Sequence, residues 1–303
     1  MVKKANGKIA SVVVLAVVLL SGQHPLVAQV KAGEAEIVLD RGWRIQSSCQ
    51  AQEGGEVISA TSFTPHNWYP ATVPGTVVSN LVADKVSDYP DPYVGMNLRK
   101  MPGMDYPIGG EFANLPMAES SPFRCSWWYR TAFAMPAAGK EEQSWLNLRG
   151  VNYHANVWLN GKQIADAKQI AGAFRAFELN VTSDLRYGNL NALAVEVFAP
   201  SENDLGITFV DWNPTPPDKN MGLWREAFIA STGPVALRHP FVDTKLSGDG
   251  QNAADLTIYA DVTNGSQKPV KGLLEVVIEK TAVTQEVDLL PGETKEVSFA
   301  PEA

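Results

Sequence analysis

The side chains best suited to chemistry fall in one run, Phe209-Val210-Asp211-Trp212-Asn213-Pro214-Thr215-Pro216-Pro217-Asp218-Lys219-Asn220-Met221-Gly222-Leu223-Trp224-Arg225. It holds two indoles, two carboxylates, two amides and three prolines. A pyranose ring offers an apolar C–H face that stacks on Trp and a rim of hydroxyls that pair with Asp, Asn and Arg, while prolines fix φ and lower the entropy lost on ordering. The pattern points to sugar binding on a stiffened loop. The competing reading is a pair of core tryptophans beside an irregular crossover, since Trp buries large area wherever it stands. Within the run, Pro217-Asp218-Lys219-Asn220 reads as a turn, Trp224 as a side chain buried between sheets, and Arg225 as an anchor pairing with a carboxylate.

Other chemistries find little support. His66, His154 and His239 lie far apart without Cys or carboxylate neighbours at ligand spacing, so no transition-metal site is expected. Asp84, Asp88 and Asp91 supply oxygen ligands of the kind Ca²⁺ takes, but read more simply as solvated loop carboxylates. Neither a Gly-rich phosphate loop nor a nucleophile elbow is present, and no cofactor is expected. Trp127-Trp128-Tyr129 cannot make one stacking platform, because successive strand side chains point to opposite faces. Asn156 and Trp158 share an outward strand face that suits a lectin-like patch, sheet packing or an interdomain contact.

The chain that must position these groups begins with Lys3, Lys4 and Lys8, continues with an apolar run over 9–20 and reaches a small-residue cut after Ala28. This order reads as an export signal, and the apolar run is short of the about 20 residues a membrane helix needs. A secreted or periplasmic location is expected, with no membrane association after cleavage. Removing 1–28 takes away three lysines and no acid, so the net charge moves from −8 to −11. That balance disfavours a nucleic-acid partner. Cys49 and Cys125 are the only cysteines; in an exported chain they suit either one disulfide or two buried thiols.

Past residue 120 the hydrophobic pattern has period two, and no window of a dozen residues keeps a helical period with caps. Ala155, Val157 and Leu159 alternate and stop at Asn160-Gly161, a dipeptide suited to a tight hairpin. Phe177, Leu179 and Val181, then Leu193, Val195 and Val197, repeat the alternation. Residues 51–119, rich in Pro, Gly, Asn and Asp, read mostly as long loops. A boundary falls between Gly233-Pro234 and Pro240, after which Leu256, Ile258, Ala260 and Val262 open a second β module. The expected class is all-β, a jelly-roll sandwich over 38–237 followed by 66 residues, 238–303, of an incomplete immunoglobulin-like sandwich.

Several segments together resemble glycoside hydrolase family 2. They are Trp145-Leu146-Asn147-Leu148-Arg149-Gly150-Val151 through Val157-Trp158-Leu159-Asn160-Gly161-Lys162, then Phe177-Glu178-Leu179-Asn180-Val181-Thr182, Asn191-Ala192-Leu193-Ala194-Val195, Val73-Pro74-Gly75-Thr76 and Asp211-Trp212. Asp91-Pro92-Tyr93-Val94-Gly95-Met96-Asn97-Leu98 and Pro214 to Gly222 resemble the exo-β-glucosaminidase and β-mannosidase branch. The resemblance implies a galactose-binding-like jelly roll in a retaining exo-glycosidase whose two catalytic carboxyl groups sit in a (β/α)₈ barrel. Such a barrel takes about 250 residues and no βα repeat occurs here, so the resemblance assigns no catalytic residue to this chain. It implies instead that Asp211 and Trp212 bind substrate at the barrel's mouth, Asp211 accepting from hydroxyls or pairing with an ammonium; a loop-capping Asp is the plainer role.

The expected function is therefore the non-catalytic N-terminal part of an exported retaining β-glycosidase, acting on β-glucosaminide or β-mannoside ends and inactive by itself. Its expected partners are a carbohydrate and the absent catalytic barrel. The alternative is a free-standing carbohydrate-binding module.

Overall fold

The period-two segments between Trp127 and Phe198 do form strands, and their alternation decides which side chains meet in the core. The computed structural model describes residues 14–19, 26–28, 36–107, 109–110, 114–137, 142–207, 214–247, 253–278 and 281–300. They divide into two units, one of 36–140 and 144–230, the other of 1–35, 141–143 and 231–303.

In the first unit a six-stranded antiparallel sheet runs in the order Lys162–Ala171, His154–Leu159, Leu190–Phe198, Trp127–Ala134, Trp43–Ser47, Tyr69–Ala71. The hairpin joining the first two strands turns at Asn160 and Gly161, with φ of 53° and 91°. Asn and Gly are the residues that tolerate such angles. A four-stranded sheet, Phe177–Asn180, Gln143–Leu148, Ala227–Thr232 and Glu36–Val38, supplies the other layer. Ile45, Tyr129, Val157 and Val195 from the first sheet share a buried cluster with Leu146, Leu148, Phe177 and Ile229 from the second. Each such aliphatic side chain contributes roughly 1.5–3 kcal/mol through burial. This is the all-β jelly-roll sandwich expected.

Residues 51–119 differ from a set of loops. They contain helices Gly55–Ile58, Val77–Ala83 and Asn97–Lys100 and the strand Tyr69–Ala71. Each helix is shorter than the window in which a 3.6-residue period can be seen. Val77–Ala83 nevertheless carries a local start signal, because the Thr76 hydroxyl accepts from Ser79 N at 3.2 Å.

The segment from Ala51 to Trp68 covers the outer face of the six-stranded sheet. Ile58 and Trp68 pack there with Trp128, Ala194 and the partly buried Trp158. Buried Arg130 donates to Ile58 O, Ala60 O and Phe63 O at 2.9, 3.2 and 3.1 Å. The Cys49–Cys125 disulfide holds the start of this cover. Trp158 therefore lies under a packed segment, against Gly55, and Asn156 donates to Glu196 Oε2 at 2.9 Å. Of the readings for these residues, packing on the sheet is the one realised. Trp127 and Tyr129 point into the sandwich core and Trp128 into the opposite cluster, as alternation demands.

The second unit has one sheet of Val235–Ser247, Ala253–Asn264 and Thr294–Phe299, and another of Thr281–Leu289, Val270–Ile278, Val14–Leu19 and Leu26–Ala28. Ile258, Val262, Leu274, Val276, Leu289, Val297 and Phe299 form its core. Val14–Leu19 lies inside the apolar run read as an export signal, and it pairs antiparallel with Gly272–Val277. Unpaired, that side of Val270–Ile278 would be an open sheet edge. No helix among the described residues is long and apolar enough to cross a membrane.

Candidate functional site

Asp211 and Trp212 lie outside the described residues, but both limbs that carry them are described. The upstream limb runs from Phe198 to Ile207 and the downstream limb from Pro214 to Met221. One buried amide fastens the two. Asn152 Nδ2 donates to Lys219 O and Asn220 O, both at 2.9 Å, and its Oδ1 accepts from Ile207 N at 3.3 Å.

The downstream limb turns as its composition predicts. Lys219 N donates to Pro216 O and Met221 N to Asp218 O, both at 2.9 Å, while Lys219 and Asn220 take φ of 51° and 59°. A left-handed lysine carries strain that the surrounding bonds must hold. Asp218 supplies part of that restraint. Its carboxyl is fully buried, accepting from Val78 N at 2.8 Å and from Asn220 N at 3.0 Å. Burial pushes its pKa up from 3.8 to about 6, against hydrogen bonds from Val78, Asn220 and Thr76 that pull it down. The turn ends at Gly222, φ 150°, where a Cβ would come within 2.4 Å of Tyr129 Oη. That hydroxyl donates to Gly75 O at 3.0 Å.

Between the limbs lies a cavity of about 20 Å³ whose lining includes Ser201, Asp204, Ile207, Thr215 and Lys219. Thr215 Oγ1 is buried there without a partner among the described residues. The cavity is large enough for one water or one hydroxyl. A cleft of about 340 Å³ also reaches Lys219, and is lined in addition by Met117, Phe123, Arg124, Phe198 and Glu202. An apolar floor with a few convergent polar groups is the usual make-up of a small-molecule site, and this volume lies at the low end of the range. Burial lowers the pKa of Lys219, with Glu202 acting in the opposite direction, and Lys219 Nζ donates to Asn114 Oδ1 at 3.3 Å.

The remaining members of the run are placed differently from expectation. Trp224 is not sandwiched between the sheets. It is half-buried, donates from Nε1 to Ala173 O at 2.9 Å and meets Phe174 edge-on. Its neighbour Gly150 leaves no room for a Cβ beside the indole. Exposed Arg225 lies over the Trp224 ring, 5.0 Å from its centroid, in a cation–π contact, and no carboxylate among the described residues makes the pairing expected of it. Asn152, Arg124 and the burial of Asp218 and Lys219 escape sequence reading, because the partners of Asn152 stand 55–68 residues away.

Comparison with known proteins places this sandwich. Residues 120–208 match the family model described as glycosyl hydrolase 2 galactose-binding domain-like. This domain belongs to glycoside hydrolase family 2. The similarity of this chain extends well beyond those residues. It is 33% identical over 261 residues, 86% of its own length, to an exo-β-D-glucosaminidase of Streptomyces avermitilis, and 32% identical over 276 residues to one of Amycolatopsis orientalis. The crystal structure of Amycolatopsis orientalis exo-chitosanase CsxA superposes with a TM-score of 0.72 at 30% identity, covering 87% of this chain and 28% of that one. A Bacteroides uniformis β-glucuronidase shares the fold, with a TM-score of 0.60 at 17% identity. The chain spans about a quarter of the length of the glucosaminidases, 26% and 24%.

Proposed function

We propose that this chain is the non-catalytic sugar-recognition part of an exported retaining β-glycosidase acting on β-linked glucosaminide ends. The carrying observation is the similarity to exo-β-D-glucosaminidases over 86% and 91% of the chain, through the jelly roll and into the second sandwich. Asp211 and Trp212 are the substrate-binding residues in this reading, presented by limbs that Asn152 and Asp218 hold rigid. Trp212 supplies a face for the pyranose, and Asp211 pairs with the ammonium or a hydroxyl of the terminal residue. The lysine-rich start, apolar run and small-residue cut of 1–28 support export.

The acid/base and nucleophile come from a catalytic barrel that is not among these 303 residues, so the chain alone does not hydrolyse glycosides. Incubating it with p-nitrophenyl β-D-glucosaminide and with the β-mannoside tests this. Enzyme-like turnover would place catalytic carboxylates within the chain and overturn the reading.

A second reading, a carbohydrate-binding module working without a hydrolase, is favoured by the sugar-sized cleft beside Lys219. It predicts saturable binding of neutral or amino-sugar oligomers that is lost on Trp212→Ala.

A further inference from the structure

The outward face of the three-stranded sheet in the second unit has the chemistry of a glycan site. Along Ala253–Asn264 and Thr294–Phe299 the core takes Ile258, Ala260, Val262, Val297 and Phe299, so Tyr259, Asp261 and Glu296 alternate outward. Phe241 stands directly across from Tyr259 in the strand pairing and is 60% exposed. Their ring centroids are 6.1 Å apart and the planes differ by 32°, which makes one broad, tilted apolar surface. A register shift between Arg238 and Phe241, with His239 at φ 50°, turns the imidazole toward Asp261, Nδ1 to Oδ2 at 2.8 Å. The result is a cleft of about 340 Å³ lined by the two rings, His239, Asp243, Asp261 and Glu296, with no lysine or arginine in its lining among the described residues.

We propose that this face binds oligomers of β-linked amino sugars in their cationic, unacetylated form. The two rings offer a surface for the apolar faces of successive pyranoses, and the three carboxylates complement their ammonium groups. Nothing cationic in the lining competes for those carboxylates except His239 when protonated. The amino sugar is chosen by this charge complementarity; the proposed glucosaminide substrate agrees with it, and the inference rests on that reading only for the biological source of the oligomer. The site lies in the second unit, apart in sequence from Asp211 and Trp212.

Calorimetry of the whole 303-residue chain with glucosamine tetramer, and with its fully N-acetylated counterpart, tests the proposal. Binding of the unacetylated tetramer is expected, weakened about 5-fold or more by Phe241→Ala. The double substitution Asp243→Asn with Glu296→Gln should weaken it about 10-fold, and raising NaCl from about 50 to 500 mM should do the same. Circular dichroism confirms that the variants, altered at exposed positions, remain folded. No binding by the wild type, equal binding of the acetylated tetramer, or wild-type binding by both variants overturns the proposal. Loss of binding in Trp212→Ala rather than Phe241→Ala also overturns it and favours the loop-based module. The hydrolysis assay above is independent of all these outcomes, so the two readings fail separately.

Discussion

Asp218 accepts a hydrogen bond from Val78 N at 2.8 Å across 140 residues of chain, so the limb below the proposed sugar-binding loop also caps the first turn of helix Val77–Ala83. Helix starts leave donors without intrahelical partners, and a carboxylate there is favoured by the local dipole. The same burial that makes the bond short makes the charge costly. Asp218 is thus a structural carboxyl with a pKa shift of the kind often seen at active sites.

The shift has a defined sign. The folded pKa of about 6 stands above the ordinary 3.8, so the folded state holds a proton that the unfolded chain releases first. The corresponding stability is fully present below about pH 4 and is lost as pH rises through about 6, amounting to about 3 kcal/mol across the window. Urea denaturation from pH 3.5 to 7 should show this slope in the wild type and not in Asp218→Asn. Parallel profiles for the two proteins would contradict the assignment.

Asn152 should be costly to replace because three backbone groups depend on it. Asn152→Ala leaves Ile207 N, Lys219 O and Asn220 O without that partner and is expected to cost roughly 2–4 kcal/mol. Hydrogen exchange at the Ile207 amide should accelerate more than exchange in the central strands. Unchanged stability would mean that the limbs are held by other contacts.

How much of this arrangement the sequence showed depends on the range of each contact. Strands such as His154–Leu159 and the Asn160-Gly161 turn were legible because alternation and turn chemistry are local. The turn at Asp218-Asn220 was legible for the same reason. Helix Val77–Ala83 was not, being seven residues long, and Trp224 was misplaced because its partners Ala173 and Phe174 are about fifty residues upstream. The composition of the run pointed to sugar chemistry, but the choice of Asp211 and Trp212 within it came from family resemblance. No local pattern distinguishes an Asp that meets a ligand from one that caps a loop.

The Cys49–Cys125 bridge closes a loop with a separation of 76 residues and pins the segment that covers Trp128 and Trp158. In the chain-entropy account a loop of this length contributes about 4.5 kcal/mol. The double substitution to Ser should lower the denaturation midpoint accordingly, and hydrogen exchange should rise first in Gly55–Ile58. A loss below about 1 kcal/mol would show that packing alone holds the cover.

The central claim is that these residues recognise the sugar while the reactive acids lie elsewhere. Its most direct measurement is kcat/KM on p-nitrophenyl β-D-glucosaminide for two proteins, the 303-residue chain and a fusion of it to the catalytic part of the Amycolatopsis orientalis exo-β-D-glucosaminidase, each with and without Trp212→Ala. The account predicts no turnover by the 303-residue chain, and turnover by the fusion that falls about 10-fold or more with Trp212→Ala. Turnover by the 303-residue chain itself, or a fusion indifferent to Trp212→Ala, would contradict it.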